Sequence, residues 1–288
     1  MKIITNDYSC GTSSAFLDYG TDSVIICAEQ EHKHVFDIQG EDLFFVGHDV
    51  MMYLWDSEKY RNHWKNYKGR KIIWCFEKID CIVPQWQVKS HYSLELCQQF
   101  TDEFVASDEQ DCRKYGMFWL PQWASNRFYN QREQPATEKR ILFSGQAGFV
   151  GYGKRDELLK QVSADKDQSA QFYFSNTIRK FGWDEYIHNF LNHEIILAPF
   201  GNLKAFNTRT FEALTSGRLL LQQVDDEYKW HIALVEQFPN VKFFTTFEDL
   251  KKILSNELME PCHRERQGTD QYNQNNLFER FRRIGIEL

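Results

Sequence analysis

The stretch HEIILAPFGNLKAFNTRTFEALTSGRLLLQQV, residues 193–224, has in succession the features of a strand, a loop, a helix and a second strand. The apolar run His193–Pro199 is rich in isoleucine and leucine and is followed by glycine and asparagine, a pattern that predicts a buried strand ending in a loop. Asn207 or Thr208 can cap the helix, and Gly217 stands where a left-handed C-terminal cap is needed. The leucine-rich residues after Gly217 predict the next buried strand.

A unit of this kind belongs to a parallel sheet, whose ligands bind at the carboxyl ends of the strands and whose helix amino termini attract anions. The loop from Phe200 to Thr208 is therefore a predicted phosphate site. Arg209 and Glu212 are three residues apart, so their side chains lie on one face of the first helical turn. A guanidinium suits phosphate oxygens and a carboxylate suits ribose hydroxyls. Spacing alone equally allows Glu212 to favour the helix dipole, with Arg209 as its solvated partner.

Residues 198–224, APFGNLKAFNTRTFEALTSGRLLLQQV, resemble the carboxyl-terminal signature of nucleotide-sugar glycosyltransferases of the GT-B type. The segment is most similar to the spore-coat (CgeB-like) branch of the group-one transferases, and it also resembles the R-x-x-E-A-x-x-x-G pattern of exostosin-like transferases. The resemblance covers most of residues 100–260 in order. It implies an α/β protein with two Rossmann-like, doubly wound domains that face a cleft, and transfer of a hexosyl or pentosyl group from a nucleoside-diphosphate sugar.

The composition is that of an ordinary globular protein and excludes some functions. The chain has 288 residues, of which 42% are hydrophobic and 26% charged, and this suits one large or two modest domains. The net charge of −7 argues against a general nucleic-acid binder, since binding to a phosphate backbone needs a basic surface. No apolar run is long enough to cross a membrane or to form a signal peptide, so we expect a soluble protein without a transmembrane segment.

The spacing of cysteine, histidine and aspartate predicts neither disulfides nor a metal site. The seven cysteines are odd in number and form no C-x-x-C pair, which indicates reduced thiols in a cytoplasmic protein. The pair His32 and His34 lies in a polar turn, which favours solvent exposure. Asp165 and Asp167 form a D-x-D flanked by polar residues, which predicts a surface loop. We therefore expect no metal and no cofactor apart from the sugar nucleotide that acts as donor.

A glycine-rich turn follows another predicted strand in the carboxyl-terminal half. The strand Arg140–Ser144 leads into GQAGFVGYGKR, residues 145–155, whose four glycines allow a close approach to phosphate. The order is not G-x-G-x-x-G, so a dinucleotide dehydrogenase is poorly supported. In the resemblance this turn borders the donor diphosphate, and Arg155 matches the basic residue that opens the following helix. From its position alone, Arg155 is more commonly a solvated helix residue.

The donor site is expected to combine the two glycine-containing loops with the Arg209 and Glu212 pair. Arg209 and Arg155 would bind the diphosphate, Glu212 would bind the ribose, and the loops would close the pocket. A UDP-sugar is the first choice of donor. The predicted donor-binding residues are Gly145, Gln146, Gly148, Arg155, Ser175, Asn202, Asn207, Thr208, Arg209 and Glu212.

The amino-terminal half contains its own series of predicted strands, with polar residues at their ends. His48 and Asp49 directly follow the apolar run 42–47, and Glu77 follows the strand 71–76. At the carboxyl ends of parallel strands, these three residues are the candidates for acid and base catalysis. Alternatively, His48 or Asp49 is a loop residue that caps the next helix, and Glu77 pairs with a neighbouring lysine.

The polar segment NQREQPATEK, residues 130–139, is the best candidate for a domain boundary. We predict an amino-terminal, acceptor-side domain over residues 1–133 and a nucleotide-sugar-binding domain over residues 134–270. A terminal helix within residues 271–288 is basic and amphipathic. Chains of the GT-B type commonly return such a helix to the first domain, although its arginines equally suit a solvated face.

The function that follows is transfer of a sugar from a nucleoside-diphosphate sugar to a hydroxyl group of a glycan or glycoconjugate. Arginines and helix amino termini would stabilise the leaving diphosphate without a metal ion, and a base from the first domain would take the acceptor proton. Retaining members often carry a glutamate eight residues before the position of Glu212, and Lys204 stands there in this chain, so the stereochemistry is open. The alternatives are a nucleotide-sugar epimerase on the same fold and a non-catalytic protein that binds a sugar nucleotide or a glycan.

Overall fold

Two parallel sheets and the helices that cover them make up most of the described part of the chain. They fall into two compact units, one of Met1–Gln122 with Leu277–Leu288 and the other of Trp123–Asn276. The expected α/β class with parallel strands is confirmed. The computed structural model describes residues 1–5, 18, 25–27, 34–47, 58–75, 79, 98–101, 103–145, 153–175, 178–200, 206–225, 229–257, 268–269, 271–272, 274–283 and 285.

The first unit is built on a six-stranded sheet in the order β2-β1-β3-β4-β5-β6, and each neighbouring pair is parallel. Its strands are short and rich in isoleucine, valine and phenylalanine, which suits a sheet buried on both faces. They are β1 (Lys2–Thr5), β2 (Ile25–Cys27), β3 (Leu43–Val46), β4 (Lys71–Cys75), β5 (Glu103–Ala106) and β6 (Phe118–Trp119). Among the described residues before 122, the helical segments of this unit are a 3₁₀ turn at His34–Asp37, α1 (Glu58–Asn66) and α2 (Glu109–Tyr115).

The second unit is built on a five-stranded sheet in the order β11-β10-β9-β7-β8, again with parallel pairs. Its strands are β7 (Glu138–Ser144), β8 (Phe172–Ser175), β9 (His193–Ala198), β10 (Leu219–Gln223) and β11 (Val241–Phe244). The helices in the described part of this unit before residue 258 are α3 (Asn126–Asn130), α4 (Gly153–Ala164), α5 (Lys166–Ser169), α6 (Ile178–Asn192), α7 (Thr208–Ser216), α8 (Lys229–Val235) and α9 (Phe247–Glu257).

Helices cover both faces of the second sheet, as in a doubly wound fold. On one face, side chains of α6 and α7 pack against inward residues of β7, β9 and β10. On the other face, α4 and α9 pack against the alternate residues of the same strands. The helices contribute apolar side chains at helical spacing, and the strands contribute them on both sides, so the unit has two core layers separated by the sheet.

The two sheets share one strand order among the described strands. In each of them the second strand in sequence lies at one edge, the first is next to it, and the third, fourth and fifth follow on the other side. The chain therefore changes direction across the sheet between β1 and β3, and again between β7 and β9. Such a switch point leaves a crevice at the carboxyl ends of the two strands, where ligands of open α/β sheets bind.

The boundary between the units lies between Gln122 and Trp123, earlier than the predicted position after residue 133. The reason is α3, which packs in the second core. Phe128 is fully buried there, with its ring 5.1 Å from that of Phe190. The polar segment 130–139 consequently leads into β7 within one unit, and it does not connect two units.

The last helix, α10 (Gln274–Arg283), brings the chain back to the first unit from Leu277 onward. Phe281 is fully buried and its ring meets that of Phe44 edge to face at 4.9 Å. Beyond the helix, Arg70 Nη1 donates a hydrogen bond of 2.6 Å to the Gly285 carbonyl. The helix is anchored through Phe281, while its last two arginines remain exposed.

Candidate functional site

The candidate site lies at the carboxyl edge of the second sheet, at the switch point between β7 and β9. The helix that follows β7 is α4 and the helix that follows β9 is α7, so the amino termini of both helices belong to this edge. Backbone N–H groups at helix amino termini are not used within the helix and carry partial positive charge. The edge is therefore suited to a negatively charged ligand.

The start of α7 is fixed by its cap. Asn207, one of the two predicted cap residues, takes this role: its side chain accepts a hydrogen bond of 3.1 Å from the Arg209 N–H, and its backbone is extended. The amide Nδ2 of Asn207 also donates to the Pro199 carbonyl at 3.4 Å, which ties the helix start to the end of β9. At the other end, Gly217 adopts the left-handed conformation with φ 67°, as the sequence predicts.

Arg209 lies across the end of β7. Its guanidinium carbon is 5.1 Å from the centre of the Phe143 ring, and Nη1 donates to Asn207 Oδ1 at 3.4 Å. Gly145, the residue after β7, leaves room for this side chain: a Cβ atom at that position would lie 2.5 Å from Arg209 Nη2. The Gly145 N–H donates to the Ser175 carbonyl at 3.1 Å, which fixes Gly145 against the end of β8.

Arg155 bridges the two segments that flank the switch point. It lies on α4 and is only 6% exposed, so the interpretation as a solvated helix residue is wrong. Its Nε donates to the Phe200 carbonyl at 3.0 Å, and the Phe200 N–H donates to Gln223 Oε1 at 3.2 Å. The chain after β9 is thus held from both sides, by α4 and by the end of β10. Beside it, exposed Lys154 pairs with Asp225 at 2.8 Å.

Glu212 is completely buried, one turn further along α7 than Arg209. The Tyr186 hydroxyl donates a short hydrogen bond of 2.5 Å to Glu212 Oε2. Burial raises the pKa of Glu212 from 4.5 to about 7, although the Tyr186 hydrogen bond and the charge of Arg209 both act to lower it. Burial likewise raises the pKa of Tyr186 well above its usual value of 10. Glu212 is therefore no surface partner of Arg209, and its second oxygen, Oε1, has no hydrogen-bond partner among the described residues.

Further polar groups are buried at the same edge. The hydroxyls of Ser144 and Ser175, which end β7 and β8, are buried and have no hydrogen-bond partner within the described ranges. At the end of β10, Gln222 accepts a hydrogen bond of 2.6 Å from Thr210 and donates one of 3.0 Å to the Ala198 carbonyl. The strands are otherwise apolar, so these polar side chains are concentrated at the carboxyl edge of the sheet.

Seven predicted donor-binding residues belong to this one edge of the second unit. They come from the ends of β7 and β8, from α4 and from the first turns of α7: Gly145, Arg155, Ser175, Asn207, Thr208, Arg209 and Glu212. The remaining donor-site predictions, Gln146, Gly148 and Asn202, lie outside the described residues. The candidate catalytic residues His48, Asp49 and Glu77 also lie outside them.

Sequence reasoning missed Tyr186, Gln222 and Gln223. Tyr186 is on α6, 26 residues before its partner Glu212, and no local spacing links the two. The two glutamines gave a signal, because paired amides at the end of the leucine-rich run of β10 are unusual unless each amide is hydrogen-bonded.

The described ranges contain neither a candidate metal site nor a helix that could cross a membrane. Those ranges hold no group of three or more histidine, cysteine, aspartate or glutamate side chains arranged to bind a metal ion. Asp165, predicted to lie in a surface loop, is instead the N-cap of α5 and accepts hydrogen bonds from the N–H groups of Asp167 and Gln168. Short polar residues favour both loops and caps, which is why composition alone predicted a loop. None of the described helices combines the length and the apolar character that crossing a membrane requires.

The chemistry available at the switch point is set by guanidinium groups, helix amino termini and one buried carboxylate. Guanidinium and backbone N–H groups bind phosphate oxygens, and a carboxylate accepts hydrogen bonds from hydroxyl groups. The combination suits a ligand that carries both phosphate and hydroxyl groups. Comparison with known proteins assigns no family, because neither a family model nor a curated protein sequence matches the chain.

Proposed function

We propose that the chain is a glycosyltransferase that moves a sugar from a nucleoside-diphosphate sugar, with UDP as the first choice, to a hydroxyl group of a glycan or glycoconjugate. The observation that supports this best is the meeting of Arg155, Arg209 and Glu212 at one switch point of a parallel sheet. A phosphate group and a ribose are neighbours in a nucleoside diphosphate. Arg209 and Glu212 are correspondingly neighbours on one helix, and they interact electrostatically.

In this proposal Arg209 binds the diphosphate. Its guanidinium lies at the amino end of α7, and its position over the Phe143 ring keeps it at the end of β7. Gly145, which is next to this guanidinium, has no side chain and so gives a phosphate close access to the backbone. Arg155 has a supporting role, because its Nε is bonded to the Phe200 carbonyl and so fixes the segment that enters the loop before α7.

The reaction would be a displacement at the anomeric carbon of the donor sugar. The acceptor oxygen forms a bond to this carbon, the bond from the carbon to the diphosphate oxygen breaks, and the acceptor proton passes to a general base. Charge develops on the leaving diphosphate, where Arg209 and the helix amino termini would stabilise it. His48, Asp49 and Glu77 are the candidates for the base.

The proposal predicts selective stabilisation of the protein by sugar nucleotides. We expect one member of a panel of UDP, GDP, ADP and CMP sugars to raise the melting temperature, because a ligand at one hundred times its Kd adds about 2.7 kcal/mol to the stability of a folded protein. Thermal unfolding followed by fluorescence measures this, with inorganic phosphate and pyrophosphate as controls. An unchanged melting temperature with every nucleotide at millimolar concentration would contradict the proposal.

Product analysis separates the proposed enzyme from the two alternatives. A transferase that lacks an acceptor leaves the donor unchanged or hydrolyses it slowly, whereas an epimerase converts it to an isomer. A binding protein gives tight donor binding with neither transfer nor hydrolysis. The sugar nucleotide that stabilises the protein is incubated with it, with and without glycan acceptors. Chromatography of the reaction mixture then distinguishes these outcomes.

The close approach of Gly145 and Arg209 predicts that Gly145→Ala weakens ligand binding without unfolding the protein. The added methyl group displaces the end of the flexible Arg209 side chain and also lies 3.0 Å from Cζ of the Phe143 ring, which must shift slightly, so the effect on stability is modest. Because the Arg209 guanidinium is displaced from its position, we expect the nucleotide affinity to fall about tenfold. This is about the effect of losing one charge-assisted hydrogen bond. Isothermal titration calorimetry measures the affinity.

A double variant provides the control for this prediction. In an Arg209→Met background, Gly145→Ala has no guanidinium left to displace and is expected to change the affinity no further. A tenfold loss that persists in this background would show that Gly145 acts on the ligand in some other way.

A further inference from the structure

The buried contact between Tyr186 and Glu212 links α6 to the site on α7. Both side chains are buried, and the Tyr186 hydroxyl is 2.5 Å from Glu212 Oε2. The tyrosine ring is itself fixed, because it stacks on the Trp183 ring with centroids 5.6 Å apart and an interplanar angle of 13°. Trp183 in turn packs against Phe128 of α3. The hydroxyl of Tyr186 therefore has a defined position in the core.

Only one of the two carboxylate oxygens of Glu212 accepts a hydrogen bond from Tyr186. Oε2 accepts the tyrosine hydrogen bond, while Oε1 is buried and has no partner among the described residues. A buried acceptor without a partner is unfavourable, commonly by the free energy of a lost hydrogen bond. A ligand hydroxyl that donated to Oε1 would remove this deficit.

We propose that Tyr186 is a positioning residue for nucleotide binding: it holds Glu212 by Oε2 so that Oε1 receives a hydroxyl group of the ribose. This inference rests on the proposed function, and it adds a residue from a different helix to the donor site. The position of Tyr186 is set by the aromatic packing of α6 and α3, so that packing becomes part of the site although none of it touches the ligand.

The groups that act on Glu212 define how this contact responds to pH. Helix α7 packs against β9, β10 and α3, and α6 supplies Tyr186. Among the described groups of these elements, two favour the ionised form of Glu212: Tyr186 through its hydrogen bond and Arg209 through its charge. Burial of Glu212 opposes ionisation. Removing the tyrosine hydroxyl therefore favours the protonated carboxyl group, which no longer offers two acceptor oxygens.

The substitution Tyr186→Phe removes the hydroxyl and keeps the stacking ring. The probe is the nucleoside diphosphate, among UDP, GDP, ADP and CDP, that stabilises the wild-type protein most. We expect its affinity for the variant to fall about tenfold near neutral pH. We also expect the pH at which binding reaches half its maximum to move upward, since Glu212 must lose its proton without help from the hydroxyl. Calorimetric titrations from about pH 5 to about pH 9 measure both effects.

Two controls separate positioning from a general effect on folding. Tyr129→Phe removes a hydroxyl from a partly buried tyrosine on α3 and is expected to leave affinity and pH profile unchanged. In a Glu212→Gln background, Tyr186→Phe is expected to have no further influence on the pH profile, because the group that titrates is gone.

The possible outcomes test the inference and the proposed function separately. If the wild-type protein binds a nucleoside diphosphate and Tyr186→Phe lowers affinity with a shifted pH profile, the inference is supported. If the wild-type protein binds and the Tyr186→Phe profile is unchanged, Tyr186 has no positioning role and the proposed function stands. If the wild-type protein binds none of the four probes, the proposed function fails and the inference fails with it.

Discussion

The free energy of unfolding of the wild-type protein is expected to fall by about 3 kcal/mol as the pH rises from about 4 to about 8, because of Glu212. Glu212→Gln is expected to remove this decrease. The pKa of this carboxyl group is 4.5 without the fold and about 7 within it. Between these values the folded protein holds a proton that the unfolded chain has released, so the free energy of unfolding falls as the pH increases. Above the folded pKa the loss is complete, because the buried group is then ionised in both states.

Urea unfolding at a series of pH values measures this effect. The glutamine side chain has nearly the shape of glutamate and still accepts the Tyr186 hydrogen bond, but it does not titrate. The difference in stability between the variant and the wild-type protein should therefore move in favour of the variant as the pH increases. Glu185→Gln, on the exposed face of α6, is the matched control and should show no such trend. A constant difference across the pH range would show that Glu212 is not the titrating group.

Glu212 affects both the stability of the protein and the proposed binding of nucleotide. A fully buried carboxylate, one of whose oxygens has no hydrogen-bond partner among the described residues, lowers stability above neutral pH, and a glutamine would avoid the charge. Functional sites often retain such groups, because the property that destabilises the empty protein is needed for the ligand. The same variant should accordingly bind nucleotide more weakly while its stability becomes less sensitive to pH.

Arg209→Met is expected to lower the affinity for the nucleoside diphosphate about a hundredfold. In the proposed complex the side chain would provide two charge-assisted hydrogen bonds to phosphate, and each contributes roughly 1.5 to 3 kcal/mol, with the effects not fully additive. Methionine keeps most of the apolar contact with the Phe143 ring, so the fold should be retained. Arg209→Lys should have an intermediate affinity, since lysine keeps the charge but not the planar fork.

Arg140→Met is the matched control for this second prediction. Arg140 lies near the amino end of β7, the same strand whose carboxyl end is next to Arg209, and its guanidinium pairs with Glu138 at 3.0 Å. Replacing it removes one positive charge from the same unit at the opposite edge of the sheet. Equal losses of affinity for the two variants would mean that net charge attracts the nucleotide and that Arg209 has no specific contact with it.

The local part of the fold could be predicted from sequence because its signals are local. The stretch 193–224 was expected to form a strand, a capped helix and a strand, and the structure has β9, α7 and β10 there. Asn207 and Gly217 mark the two ends of α7 by chemistry that depends on one or two neighbouring peptide groups. The parallel character of the sheet followed from apolar strands that alternate with helices.

The features of the fold and the site that could not be predicted depend on contacts between residues far apart in the chain. Burial of Arg155 follows from its bond to a carbonyl 45 residues later, and no helical pattern contains that information. The position of the unit boundary depended on the packing of Phe128 against α6, which outweighs the polar composition of the segment after it. The Tyr186 and Glu212 pair likewise joins two helices that pack on the same face of the sheet, and they meet only once the strands beneath them have paired.

We propose that Arg209 and Glu212 hold the diphosphate and the ribose of a sugar nucleotide at the carboxyl ends of β7 and β9. The most direct test is a crystal structure of the protein with the nucleoside diphosphate that stabilises it most. We predict density for the diphosphate within hydrogen-bonding distance of the Arg209 guanidinium, and a ribose hydroxyl on Glu212 Oε1. A nucleotide bound elsewhere on the protein, or in contact with neither residue, would contradict the account.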